Sequence, residues 1–329
     1  MHTDHITDYL DATARISMLE AMMLIRAHEL RLAAKATPQS PGTCTSVGQE
    51  ASGVGVVRAL QPRDRILTNH RSAAHLLARG ADPGRLVAEV MGRIDGYCKG
   101  KSGSLHISAA ELGVVLTSTI VGGELSLAPG VALAQKMGHQ QEQGEGGITA
   151  VFFGDGAACE GIFHEAVNLA VTWQLPLFFV CENNQWQAYV RRDETMAVAR
   201  VADWVRGHGL VVNAVDGNDV EAVHRAALKA VAEIRASGRP QFLELNTYRT
   251  RGHFEPDDQA YVDAVELAAW KLRDPIDLQR SRLVEAGLLA AGELAHLQQR
   301  VDAQIDAAHA FAESSPWPDA RELTTDVYV

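Results

Sequence analysis

Apolar positions near the start of the chain recur at helical spacing. Ile16, Leu19, Met22, Met23 and Leu30 predict a leading helix over Ala12–Lys35, and Thr37-Pro38-Gln39-Ser40-Pro41-Gly42 then predicts a loop. A small-residue helix is expected over 48–60, a short strand over 65–68, and another helix over 71–79, ended by Gly80 with Pro83 beyond it. Residues 92–123 differ in character. Gly96, Gly100, Gly103, Gly113, Gly122 and Gly123 lie there among few regular apolar repeats, which predicts a long loop of the kind that serves function more often than it idles.

The middle of the chain carries the clearest pattern. A continuous apolar run at 148–153, a helical pattern over 157–173 and a second apolar run at 175–181 predict a β-α-β unit in a parallel sheet. A strand over 210–215, a helix over 219–236 capped by Asn218 or Asp219, and a strand over Gln241–Asn246 continue the alternation. Beyond Pro256 the helical patterns fall near 260–272, 275–285 and 291–312. The fold class expected is α/β, a doubly wound, mostly parallel sheet, with a helical arm at 1–45, one sheet domain at 46–255 and a second helical arm at 256–329.

Composition narrows the function. With 47% hydrophobic residues, 6% aromatics and 28 glycines in 329 residues, the chain is neither disordered nor fibrous. Thirty basic against 41 acidic residues leave a net charge of −11 and no basic patch, so neither nucleic acid nor a membrane surface is an expected partner. Cys44, Cys98, Cys159 and Cys181 are scattered, which fits a reducing, cytoplasmic compartment. No apolar run has the length of a membrane span, and the first residues lack the layout of a signal peptide.

In open α/β sheets, ligands bind beyond the carboxyl ends of the strands. Two such ends stand out: Phe152-Phe153-Gly154-Asp155-Gly156-Ala157-Ala158, and Cys181-Glu182-Asn183-Asn184-Gln185-Trp186. The first is not a dinucleotide fingerprint, because Cys159 stands where the third glycine would be, and not a P-loop, because Ile162-Phe163 replace Lys-Ser/Thr. A carboxylate in a glycine turn with a carboxamide pair after the next strand suits Mg²⁺, which takes hard oxygen ligands, and Asp155 with Asn183 or Asn184 supplies two. The glycines admit a diphosphate, and a helix opening near Ala157 would aim its free N–H groups at it.

The spacing from Gly154-Asp155-Gly156 to Asn183-Asn184 resembles the thiamine diphosphate-binding motif. The wider match includes Gly48-Gln49-Glu50-Ala51, His70-Arg71, Lys99-Gly100-Lys101-Ser102-Gly103-Ser104-Leu105-His106, Ile120-Val121-Gly122-Gly123, Val215-Asp216-Gly217-Asn218-Asp219 and Tyr248-Arg249-Thr250-Arg251-Gly252-His253. Over nearly its whole length the chain is similar to the alpha subunit of the first component of 2-oxo acid and acetoin dehydrogenase complexes. The resemblance implies that Asp155, the Asn184 side chain and the Trp186 backbone carbonyl hold Mg²⁺. It implies that Arg71, Gly154, Gly156, Ala157 and Arg249 meet the diphosphate of thiamine diphosphate, and that backbone near Thr119 and Val121 meets the aminopyrimidine. His253 is then an active-site histidine, a group titrating near neutrality that handles a proton at the substrate oxygen. His106, in the glycine-rich loop, is a second candidate, and His70 matches the acetoin-type members where many pyruvate-type members carry tyrosine.

The resemblance also implies partners. A beta subunit supplies the glutamate that activates the pyrimidine in an alpha2beta2 heterotetramer, and a lipoyl acyltransferase takes the acyl unit after carbon dioxide leaves a 2-oxo acid or acetaldehyde leaves acetoin. The length agrees, since 329 residues hold one doubly wound domain and arms. Thr43-Cys44-Thr45, Leu116-Thr117-Ser118-Thr119, Phe254 and Trp186 depart from the family pattern, which bears on the substrate. A carboligase or acyl-transferring synthase built from the same two subunits is the alternative.

Overall fold

The computed structural model describes residues 10–35, 42–142 and 146–326, with backbone alone at 139–142. Its elements run α1 (Ala12–Lys35), α2 (Glu50–Val57), β1 (Arg65–Asn69), α3 (Ala73–Ala78), α4 (Pro83–Val90), β2 (Val114–Ser118), α5 (Gly123–Glu142), β3 (Thr149–Gly154), α6 (Asp155–Ala158) and α7 (Gly161–Trp173). They continue through β4 (Leu177–Asn183), β5 (Trp186–Gln187), β6 (Val190–Arg191), α8 (Arg192–Thr195), α9 (Val201–Arg206), β7 (Val211–Asp216), α10 (Val220–Ser237), β8 (Gln241–Asn246), α11 (Ala264–Lys271), α12 (Pro275–Glu285) and α13 (Ala291–Ser314).

Six strands form one sheet in the order β2-β1-β3-β4-β8-β7, and every pair in it is parallel. Both faces are covered, which is why the central strands read as unbroken apolar runs rather than as alternations. Along β3, Ala150 and Phe152 face the layer of α1, α2, α3 and α10, while Val151 and Phe153 face the layer of α5, α7 and α9. The strand order reverses between β1 and β3, which makes the crevice beyond those two strands the switch point where such sheets bind ligands. Asp219 is the cap of α10, accepting from the N–H groups of Glu221 and Ala222 at 3.1 and 3.0 Å.

Two expectations are corrected. Residues 92–123 are not all loop, because β2 lies within them and pairs with β1 at the sheet edge. Its signal is weak because it is short and partly exposed, with Val115 40% accessible. The helix expected over 157–173 is divided into the single turn α6 and the separate helix α7, with Glu160 extended between them. One turn sums few peptide dipoles, so no long helix aims at the crevice here. Pro83, read as the residue beyond a helix end, also opens α4, whose cap Asp82 accepts from Arg85 N–H at 2.9 Å. Most of the loop expected over 37–42 lies outside the described residues.

The terminal helices share this core. Leu19, Met22 and Ile25 of α1, Leu283 of α12, and Leu297 and Val301 of α13 belong to the same buried cluster as Phe152 and Val180 of the sheet. Arg26 bridges the buried Glu50 of α2, at 2.9 Å from Nη2 to Oε2, and Asp274 before α12, at 2.9 Å.

Candidate active site

A cavity of about 270 Å³ opens beyond the carboxyl ends of β1 to β4. Its walls carry His70, Arg71, Val121, Gly154, Gly156, Ala157, Asn184, Trp186, Arg249 and His253, so the fold gathers ten expected residues that the sequence spreads over 184 positions (253 − 70 + 1). Three expected residues are not on those walls: Asp155, buried between the wall residues Gly154 and Gly156, and the pair His106 and Thr119. His106 and Thr119 face each other instead, with Nε2 2.8 Å from Oγ1 on an exposed loop.

Asp155 follows β3 and is fully buried. Its Oδ1 accepts the Asn184 N–H at 3.3 Å, and its Oδ2 has no hydrogen-bond partner. Burial pushes the Asp155 carboxyl up to about 7, against the pull of backbone N–H groups, Arg192 and Arg249. A buried carboxylate oxygen left without a partner is costly in a free protein and is the atom a divalent cation would satisfy. The two asparagines have different partners. Asn183 donates to Glu244 Oε1 at 2.6 Å and accepts from Gln185 Nε2 at 2.9 Å, and it is not on the cavity wall. Asn184 donates to Gln49 Oε1 at 3.0 Å and accepts the Trp186 N–H at 3.2 Å, which holds its carbonyl oxygen on the turn beside Asp155. Among the described residues no group of three or more His, Cys, Asp or Glu side chains is placed to hold a metal.

The opposite character prevails on the wall made by Arg71, His70, Arg249 and His253. Arg71 is 5% and Arg249 1% exposed. Arg71 donates to the carbonyls of Thr45 at 2.5 Å and His253 at 2.9 Å, and Arg249 donates to the Ala188 carbonyl and the Tyr261 hydroxyl, each at 2.9 Å. Arg249 Nε has no partner, and burial together with Arg71 lowers its guanidinium to about 10. Two buried guanidinium groups beside each other with no carboxylate bonded to either form a cradle for an anion.

His253 stands between them, its Nδ1 3.5 Å from Arg71 Nη2 and 3.4 Å from Arg249 Nη1. Burial and then the two arginines lower its imidazole to about 4, so it is neutral at pH 7 rather than titrating near neutrality as the sequence led us to expect. His70, with its ring centroid 5.8 Å away, is lowered to about 3 by the same causes. The loop that carries His253 needs glycine before it, because a Cβ on Gly252 would lie 2.2 Å from Asp257 Cβ. Asp257 in turn accepts the His253 N–H at 2.6 Å.

Sequence reasoning assigned no role to several wall residues, among them Gln49, Asn69, Glu124, Glu160, Glu182 and Gln187. Asn69 ends β1, where the strand-end rule was not applied, and Glu182 lies in the strand end that was inspected but was passed over for the asparagines beside it. Glu182 accepts from Asn69 Nδ2 at 3.3 Å and lies 3.1 Å from His75 Nε2. Glu124 offers no local signal, being a polar residue in the first turn of a helix.

Sheet order, switch-point cavity, an orphaned buried carboxylate beside it and an arginine wall are the features of a diphosphate-cofactor enzyme of the α/β class. The chain belongs to the dehydrogenase E1 component family, whose model matches residues 20–321. It is similar to the alpha subunits of acetoin:2,6-dichlorophenolindophenol oxidoreductase from Cupriavidus necator, at 40% identity over 86% of this chain and 84% of the relative, and from Bacillus subtilis, at 38% over 86% and 83%. It is also similar to the pyruvate dehydrogenase E1 component subunit alpha of Zymomonas mobilis, at 38% over 86% of this chain and 79% of the relative. The chain is thus the alpha subunit of a thiamine diphosphate-dependent dehydrogenase, with a beta subunit as its partner. Among the described residues, no helix is long and apolar enough to cross a membrane.

Proposed function

We propose that this subunit cleaves acetoin or a small 2-oxo acid next to its carbonyl, the substrates named for its relatives, and passes the acyl unit to a lipoyl acyltransferase. The observation that carries the reading is an unpartnered, buried Asp155 Oδ2, set between the cavity residues Gly154 and Gly156, together with two buried, carboxylate-free guanidinium groups on the cavity wall. Asp155, the Asn184 side chain and the Trp186 carbonyl hold Mg²⁺. Arg71, Arg249 and the backbone at Gly154, Gly156 and Ala157 would hold the diphosphate, and backbone at Val121, on the wall that Thr119 does not reach, would take the aminopyrimidine. Thiamine diphosphate, when bound, supplies the nucleophilic carbon for the substrate carbonyl. His253, kept neutral, offers one ring nitrogen to the substrate oxygen and orients it, with His70 behind it. His106 acts, if on anything, through Thr119, since its imidazole meets that hydroxyl instead of the cavity. The beta subunit supplies the glutamate for the pyrimidine in an alpha2beta2 assembly. Relatives named as oxidoreductase and dehydrogenase subunits do not favour the carboligase alternative.

The test is dye reduction by the chain assembled with its beta subunit, thiamine diphosphate and Mg²⁺, with acetoin, pyruvate and branched 2-oxo acids as donors. Oxidation of one of them is expected, and no oxidation despite bound cofactor would overturn the reading. In the same assay His253→Ala is expected to lower kcat about 10²-fold or more with cofactor affinity near normal, the range of a lost acid–base group.

A further inference from the structure

The two walls of the cavity differ in charge. Arg71 and Arg249 are held on one wall by carbonyl and hydroxyl partners from the segments around Thr45, Ala188, His253 and Tyr261. The other wall comes from the turn between β2 and α5 and from the start of α7, which meet closely enough that a Cβ on Gly122 would lie 2.8 Å from Ile162 Cγ2. Glu124 is one of the lining residues on this second wall. It is 1% exposed, and its Oε2 has no hydrogen-bond partner.

Thiamine diphosphate is dipolar: an anionic diphosphate at one end, and at the other a cationic thiazolium joined to an amine-bearing pyrimidine. An arginine cradle satisfies the first end only. Resting on the cofactor reading above, we infer that Glu124 is the chain's own recognition group for the nitrogen heterocycles of the cofactor, accepting a hydrogen bond from an amine or facing the ring cation. The cost of burying a carboxyl without a partner is then offset when the cofactor is bound. Burial also pushes the Glu124 carboxyl up to about 8, as expected for an acid with no counter-charge in the free protein. Asp155 answers to the metal and Glu124 to the rings, which gives two orphaned buried carboxyls at this end of the sheet separate tasks.

The experiment is calorimetry on the assembled alpha–beta complex with Mg²⁺ present, titrating thiamine diphosphate and, separately, inorganic pyrophosphate, which offers the anion without the rings. Glu124→Ala is expected to weaken thiamine diphosphate by about tenfold or more, the range for a hydrogen bond to a charged group, and to leave pyrophosphate within about twofold. Glu124→Gln, which keeps the volume and one acceptor, should fall between wild type and Glu124→Ala. An equal loss for both ligands would overturn the inference, since Glu124 would then only support the architecture, and so would unchanged thiamine diphosphate affinity in Glu124→Ala. Failure of the wild-type complex to bind thiamine diphosphate would instead sink the cofactor reading itself.

Discussion

Asp64 and Asp155 are both completely buried, at opposite ends of the same sheet. Asp64 stands at the amino end, just before β1, and its carboxylate is saturated: it accepts the N–H of Gln61 at 2.7 Å and of Ile148 at 3.0 Å, and pairs with Arg235 at 2.6 Å. Asp155 stands at the carboxyl end, just after β3, with Oδ2 unpartnered and two arginines nearby that bond to carbonyls and a hydroxyl instead of to it. Equal burial therefore means different things. The amino end is closed by internal partners and contributes stability, whereas the carboxyl end leaves its polar groups open to a ligand at a cost to the free protein.

The largest expected effect sharpens the first half of this contrast. Asp64→Ala removes one partner of a buried pair and strands Arg235, so unfolding free energy in urea should fall by about 3 kcal/mol or more. A loss below about 1 kcal/mol would show that the amino end is not held together in this way. Asp155→Asn breaks the contrast from the other side. Mg²⁺-dependent affinity for thiamine diphosphate, measured by calorimetry, should drop at least about 100-fold, because a divalent ion beside a diphosphate loses its carboxylate. Unfolding of the cofactor-free protein should be unchanged or slightly harder, since an orphaned acid has been removed. A large loss of stability in that variant would mean that Asp155 is structural, as Asp64 is.

The smallest effect concerns a third buried acid, on a helix outside the sheet. Glu29 of α1 accepts from Ser46 N–H at 2.8 Å and from Ser46 Oγ at 2.9 Å, and burial raises its carboxyl from an ordinary 4.5 to about 8. Between those values the folded state binds a proton that the unfolded state has lost. Its contribution is therefore present below 4.5 and is lost as pH rises towards 8. Glu29→Gln should flatten the stability profile relative to wild type, with a gap on the order of 1–2 kcal/mol opening between pH 5 and 8. Parallel profiles would show that Glu29 ionises normally in the fold.

Much of this architecture is written locally. The apolar run before Gly154 and the pattern over Gln241–Asn246 predicted strands that the structure contains, and the helix over Ala12–Lys35 is present with those bounds. Local pattern failed where the environment is uneven: β2 is a half-exposed edge strand, and the break between α6 and α7 follows no proline. Cavity residues were legible where a motif names them, as at Gly156 and Arg71, and illegible at Glu124, whose position in a first helical turn is unremarked by any motif.

By itself, then, the sequence determined the alternation of strands and helices, the class of sheet, and the residue types able to meet a diphosphate and its metal, because burial periodicity and turn chemistry act over a few neighbouring residues. Only the tertiary structure decided which of those residues meet. It turned Asn183 towards Glu244 and left Asn184 beside Asp155, kept His106 out of the cavity, and brought His253 to Arg71 across 182 positions of chain. It also decided their charge states: desolvation and the fields of distant guanidinium groups hold His253 neutral and leave Asp155 and Glu124 unpaired, and those forces exist only once remote segments have packed together.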